Sequence, residues 1–120
     1  MAIRRVGPIS TAVASTLIIN ALATLGSTTE VHIVCRDSNG DPTVPGAGTF
    51  TLTAQTNTDG AFYAISDGGT LDATLCGGSA TPDGTGVYAS FRGVPTKIKI
   101  VPTAVTGAIT YSAEIIQIGI

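Results

Sequence analysis

The stretch Asp37-Ser-Asn-Gly-Asp-Pro42 is the first place where this chain could do chemistry. Asp37, Asn39 and Asp41 stand at every second position, as oxygen ligands do in the first half of an EF-hand calcium loop. The resemblance to that loop then fails: position six is Pro42 where the sharp turn needs Gly, and position twelve is Gly48 where a bidentate Glu closes the shell. The stretch reads instead as a solvated turn whose Asx side chains hold their own backbone. His32 is the one histidine, and no Cys, Asp or Ser motif brackets it, so it reads as a surface or interface residue. Asp59, Asp67 and Asp83 each precede a glycine, a turn position that Asp takes for conformational reasons. A glycosidase needs two carboxylates that meet in space, but its cleft is ordinarily lined with aromatics, and this chain has no Trp, three Tyr and three Phe. The glycine-rich stretch from Cys76 to Gly86 lacks the Gly-Lys-Ser/Thr ending of a phosphate-binding loop. No nucleophile elbow or zinc-ligand spacing occurs. The residues therefore point away from catalysis, and no cofactor or metal is expected.

The elements that would carry these residues are strands. In the C-terminal quarter, Ile98 and Ile100 alternate with Lys97 and Lys99, the period-2 pattern that sends aliphatic groups to one face and ammonium groups to the other. Pro95 and Pro102 bracket this strand, and Thr106-Gly107 supplies a reversal. The returning strand sets Ile109, Tyr111, Ala113 and Ile115 against Thr110, Ser112 and Glu114, until Ile115-Ile116 breaks the alternation. Two adjacent aliphatics there predict a bulge, or a second face covered by something else. Upstream, Val31, Ile33 and Cys35 share a face opposite His32 and Val34, and Phe50, Leu52 and Ala54 face in while Thr49, Thr51, Thr53 and Gln55 face out. A threonine row of that kind could meet ice, sugar or a partner, and is also the ordinary solvated face of a strand. Ala61–Ile65, Thr70–Leu75 (Leu71, Ala73, Leu75 inward) and a strand with Val87, Ala89 and Phe91 inward follow the same rule.

About eight short strands, turn signals between them and no amphipathic helix predict an all-β fold: an antiparallel β-sandwich or a jelly-roll-like barrel. At 120 residues the chain forms one domain. We read residues 1–26 as an N-terminal arm or first strand and 27–120 as a single β-sandwich domain. The N-terminal segment has Arg4-Arg5 followed by an apolar run, as a secretory leader has, but Pro8, Ser10, Thr11, Ser15, Thr16 and Asn20 dilute it. It is expected to be retained, not to span a membrane, and to run as a strand through the β-branched Thr16-Leu-Ile-Ile. Cys35 and Cys76 are either two thiols or one disulfide, the latter only if their Cα atoms lie within about 7 Å.

Only 12% of residues are charged and the net charge is −2. Few charges keep such a surface away from its neighbours, and the absence of a basic stripe argues against nucleic acid as a partner. The run Gly-Thr-Phe-Thr-Leu-Thr-Ala from Gly48, then Ile65-Ser-Asp-Gly-Gly-Thr-Leu-Asp-Ala-Thr, then Gly93-Val-Pro-Thr-Lys-Ile-Lys-Ile-Val-Pro-Thr-Ala-Val-Thr-Gly-Ala-Ile-Thr-Tyr, resembles small virion proteins of tailed bacteriophages. These include capsid decoration (cement) proteins and β-sandwich modules of head or tail fibres. The resemblance covers residues 48 to 118 and implies a β-sandwich, often trimeric, that binds the outside of an assembled shell. Its partners would be the major capsid protein, other virion proteins and copies of itself, with no membrane. The N-terminal segment and the loop 76–86 supply the candidate interface residues: Ile3, Arg4, Arg5, Val6 and Ile9, with Thr81, Pro82 and Asp83. A carbohydrate-binding or adhesin-type sandwich, and a tail-tube or major shell subunit, are the competing expectations.

Overall fold

The computed structural model describes residues 3–20, 26–55, 61–65, 69–75, 87–92 and 96–119. Among the described residues there are nine strands, β1 (Ile3–Ala12), β2 (Leu17–Asn20), β3 (Gly26–Arg36), β4 (Ala47–Gln55), β5 (Tyr63–Ala64), β6 (Thr70–Asp72), β7 (Val87–Arg92), β8 (Lys97–Thr106) and β9 (Thr110–Gly119), with a 3-10 turn at Ala73–Leu75. One sheet has the order β1-β9-β3-β7. The other has the order β2-β8-β4-β5, with β6 also pairing β4. β5 meets Thr53 and Ala54, β6 meets Thr49 to Thr51, and Leu52 N–H donates to the Gly69 carbonyl at 2.7 Å between them. The two short strands thus act as one interrupted edge. Counted that way, eight strands in two sheets of four cross repeatedly from sheet to sheet, which is jelly-roll connectivity. The protein is an all-β antiparallel sandwich.

Alternation places the core. Val31, Ile33 and Cys35 from β3 and Tyr111, Ala113 and Ile115 from β9 face Phe50 and Leu52 from β4, Ile98 and Ile100 from β8, Ile19 from β2 and Leu71 from β6. The Phe50 and Tyr111 rings meet across the sheets with centroids 5.0 Å apart and planes tilted by 54°. Such a tilted aromatic pair adds to the area it buries.

Several expectations are revised. Ile109 was expected inside with Tyr111, but it precedes β9 and is 57% exposed. Its backbone accepts from Val13 N–H and donates to the Arg36 carbonyl, carrying the pairing of β9 with its two neighbours one residue past the strand, so Ile109 sits at the end of the sheet where its side chain meets solvent. The irregularity expected at Ile115-Ile116 sits opposite, in β1, where the register jumps between Val6 and Ile9 around Gly7-Pro8. Ile116 does face outward, yet is only 8% exposed, because it stands in a central strand flanked by Arg5 and Glu30. The strand expected over Thr70–Leu75 ends at Asp72. There the Asp72 carboxylate accepts from Thr74 N–H at 2.9 Å and from the Thr74 hydroxyl at 2.8 Å, turning the chain into the 3-10 turn.

Residues 3–12 run along β9 of the same chain, and Leu17–Asn20 run along β8. The N-terminal segment therefore supplies one edge strand to each sheet. No helix among the described residues is long and apolar enough to cross a membrane.

Candidate interaction surface

The N-terminal candidates lie together on β1, but pairing with β9 divides them between two faces. Ile3 pairs with Ile118 and Arg5 with Ile116, on the outside of the sheet. Val6 pairs with Ile115 and leans on the core, and Ile9 pairs with Ala113. Ile9 has inward register but is 37% exposed, as expected of a residue on an edge strand. Arg4 pairs with Gln117. Thr81, Pro82 and Asp83 lie outside the described residues, as do Asp59, Asp67 and Cys76.

The outer face beside β1 gathers charges that are far apart in the chain. The Arg5 guanidinium donates from Nη1 to Glu114 Oε1 at 3.1 Å. Glu114 stands directly opposite His32, and His32 Nε2 lies 3.3 Å from Glu30 Oε1. Below them Ile116, Ile118 and Ile3 form an apolar corner of the same face. Partly exposed pairs of this kind contribute at most about 1 kcal/mol each, so the group adds little to the stability of the fold. Parity alone assigns Glu30, His32 and Glu114 to outward faces. What sequence reading missed is that β3 and β9 are neighbours, since no local signal reports a pairing between strands so distant in the chain.

Elsewhere the polar residues are absorbed by structure. Asp37 Oδ1 accepts from Asn39 N–H at 2.9 Å and Asp41 N–H at 3.1 Å, and Arg36 Nη1 donates to the Gly40 carbonyl at 2.9 Å. This is the Asx turn that the spacing predicts. The Thr74 backbone and hydroxyl donors hold the Asp72 carboxyl below its ordinary value, since both favour the charged form. Lys99 Nζ sits 4.7 Å from the centre of the Phe62 ring. Cys35 is a buried thiol. Tyr111 donates its hydroxyl to the Ser15 carbonyl at 2.7 Å, and burial, then the neighbouring Cys35, push its pKa up to about 12. Gln117 is fully buried and, among the described residues, neither its amide nitrogen nor its amide oxygen has a partner. Among the described residues, no group of three or more His, Cys, Asp or Glu is placed to hold a metal ion.

The connectivity and the filled core define the class: a jelly-roll β-sandwich domain. Residues 10–118 match the family model described as a domain of unknown function, DUF7265, and the chain belongs to that family. No curated protein matches the chain in sequence. Among solved structures, the K1 cleaved adhesin domain of Lys-gingipain from Porphyromonas gingivalis W83 superposes with a TM-score of 0.51 at 12% identity, covering 92% of this chain and 73% of that one. A protein of the disulfide-linked pili of Bacillus endospore appendages gives 0.46 at 19% identity, covering 99% and 88%. The K3 cleaved adhesin domain of the same gingipain gives 0.42 at 15% identity, covering 92% and 71%. The first of these likenesses is one of fold.

Proposed function

We propose that the chain is a non-enzymatic structural protein of a virion, a capsid decoration or cement protein that binds and stabilises an assembled shell. Its partners are the major capsid protein or other virion proteins, together with further copies of itself. Connectivity is the observation that supports this reading most: eight-stranded jelly rolls recur in viral capsid and lectin domains, and this one has a core filled by side chains from both sheets. A charged content of 12% suits a part that spends its life against protein. The mechanism is thermodynamic linkage. A subunit that binds the assembled shell, and not the dissociated one, stabilises it by mass action, and contacts repeated over a lattice add through multivalency. On this reading the outer face with Arg5, Glu114 and the Ile3–Ile118 corner is the docking side.

The test is to incubate the purified chain with shells from the source virus, pellet them, and heat them. The reading expects saturable co-sedimentation and a higher temperature of shell disruption. Absence of both, with binding on a glycan array, would overturn it in favour of an adhesin-type module. That second reading draws on the likeness in fold to the K1 adhesin domain.

A further inference from the structure

β1 is the least anchored long strand of the fold. It lies at the edge of its sheet, and the short turn between Ala12 and Leu17 joins it to β2 in the other sheet. No described side chain of β1 is fully buried, and Val6 alone of the strand packs against the core. β9, its partner, buries Tyr111, Ala113, Ile115 and Gln117 whether or not β1 is its own. The ladder is also cut in two. Pro8 has no N–H to donate, and the register shifts between Val6 and Ile9. The shared family domain begins at residue 10, so Ile3 to Ile9 lie ahead of it. What holds the strand is main-chain pairing, which any copy of the same strand satisfies equally.

We propose that β1 exchanges between copies of this chain, β1 of one copy lying along β9 of the next. The turn that must open is latched by three hydrogen bonds: Ser15 N–H to the Ala12 carbonyl at 3.0 Å, Val13 N–H to the Ile109 carbonyl at 3.0 Å, and the Tyr111 hydroxyl to the Ser15 carbonyl at 2.7 Å. Exchange re-forms the β1–β9 ladder in the new pairing, so the costs are association and the changed turn, which makes swapping a low-cost route to oligomers. Reciprocal exchange closes a dimer. Exchange passed head to tail builds an open chain, a form suited to a repeating surface.

Ser10 and Ser112 stand directly opposite in the β1–β9 register, a cross-strand spacing of about 4.5–5.5 Å between Cβ atoms that lies close to disulfide geometry. Full-length Ser10→Cys protein, labelled with nitrogen-15, is mixed with unlabelled Ser112→Cys protein, incubated at a series of concentrations, oxidised and digested. Mass spectrometry then looks for a 10–112 disulfide joining a labelled peptide to an unlabelled one. The proposal expects that heterolink, rising with concentration, and several-fold faster when Tyr111→Phe removes one latch. A Ser10→Cys/Ser112→Cys double variant that closes fully within single chains, while the mixed variants give no heterolink at any concentration, overturns it. A double variant that does not close also overturns it, because the pairing itself would then be wrong. The experiment contains no shell, so its outcome is independent of whether the protein decorates one.

Discussion

The Tyr111 side chain joins three parts of the molecule, meeting the Phe50 ring of the opposite sheet at a tilt, lying in the core near Cys35 and donating to Ser15 in the first turn. Its raised pKa has a sign. The folded state retains a proton that the unfolded chain releases, so the stability Tyr111 contributes is complete below pH 10 and is lost as pH rises through about 12. Absorbance at 295 nm should show a tyrosine that ionises about two pH units above the ordinary value, and Tyr111→Phe should remove that late step. The same substitution should cost about 1 kcal/mol in urea unfolding at neutral pH, the net worth of one hydrogen bond. Gln117 poses the opposite case. Its amide gave up water without gaining a partner, a penalty of about 1–3 kcal/mol. Gln117→Met, close in volume and without the amide, should raise the urea midpoint by the equivalent of about 1–2 kcal/mol. A fall in the midpoint would mean that a water or a neighbouring chain satisfies that amide.

At the scale of elements, the antiparallel ladder between β4 and β8 turns on two backbone positions. Gly48 has φ +109°, and a Cβ there would lie 2.5 Å from Val105 Cα. Gly48→Ala should therefore destabilise by about 2–5 kcal/mol, combining backbone strain with overpacking. Across the ladder the register shifts between Ala47 and Thr49, and Ala104 carries φ 52°, a conformation glycine adopts freely. Ala104→Gly should raise thermal stability by up to about 1 kcal/mol. Strands of this kind were legible one at a time. The Ile98/Ile100 and Phe50/Leu52/Ala54 faces follow from parity, because each strand has one buried side. Parity misplaced Ile109, which lies just before β9 at the end of the sheet and is exposed there, and it did not end β6 at Asp72, where a side-chain cap overrides the apolar pattern. Of the candidate surface, Ile3, Arg5, Val6 and Ile9 were chosen for lying in a segment thought to be an arm. Their division between two faces depends on β1 pairing with β9 at the far end of the chain, and nothing local encodes that.

At the scale of the molecule, the jelly-roll order makes the first and last described strands neighbours, so the N-terminal segment is built into the sandwich. Loss of residues 2–10 removes most of β1 and should weaken the fold along with any docking. On the proposed function, the exposed edge of β1 and the outer face carrying Arg5, His32 and Glu114 are what a larger assembly would use. The proposed function has the chain work by being bound into a particle. Its most direct test is immunogold electron microscopy of virus and cells from the source, with antibody to the full-length protein, alongside mass-spectrometric copy number in purified virions. Gold over capsid shells and a copy number commensurate with a shell lattice are expected. Gold confined to cell-surface filaments, with none of the protein in purified virions, would contradict it.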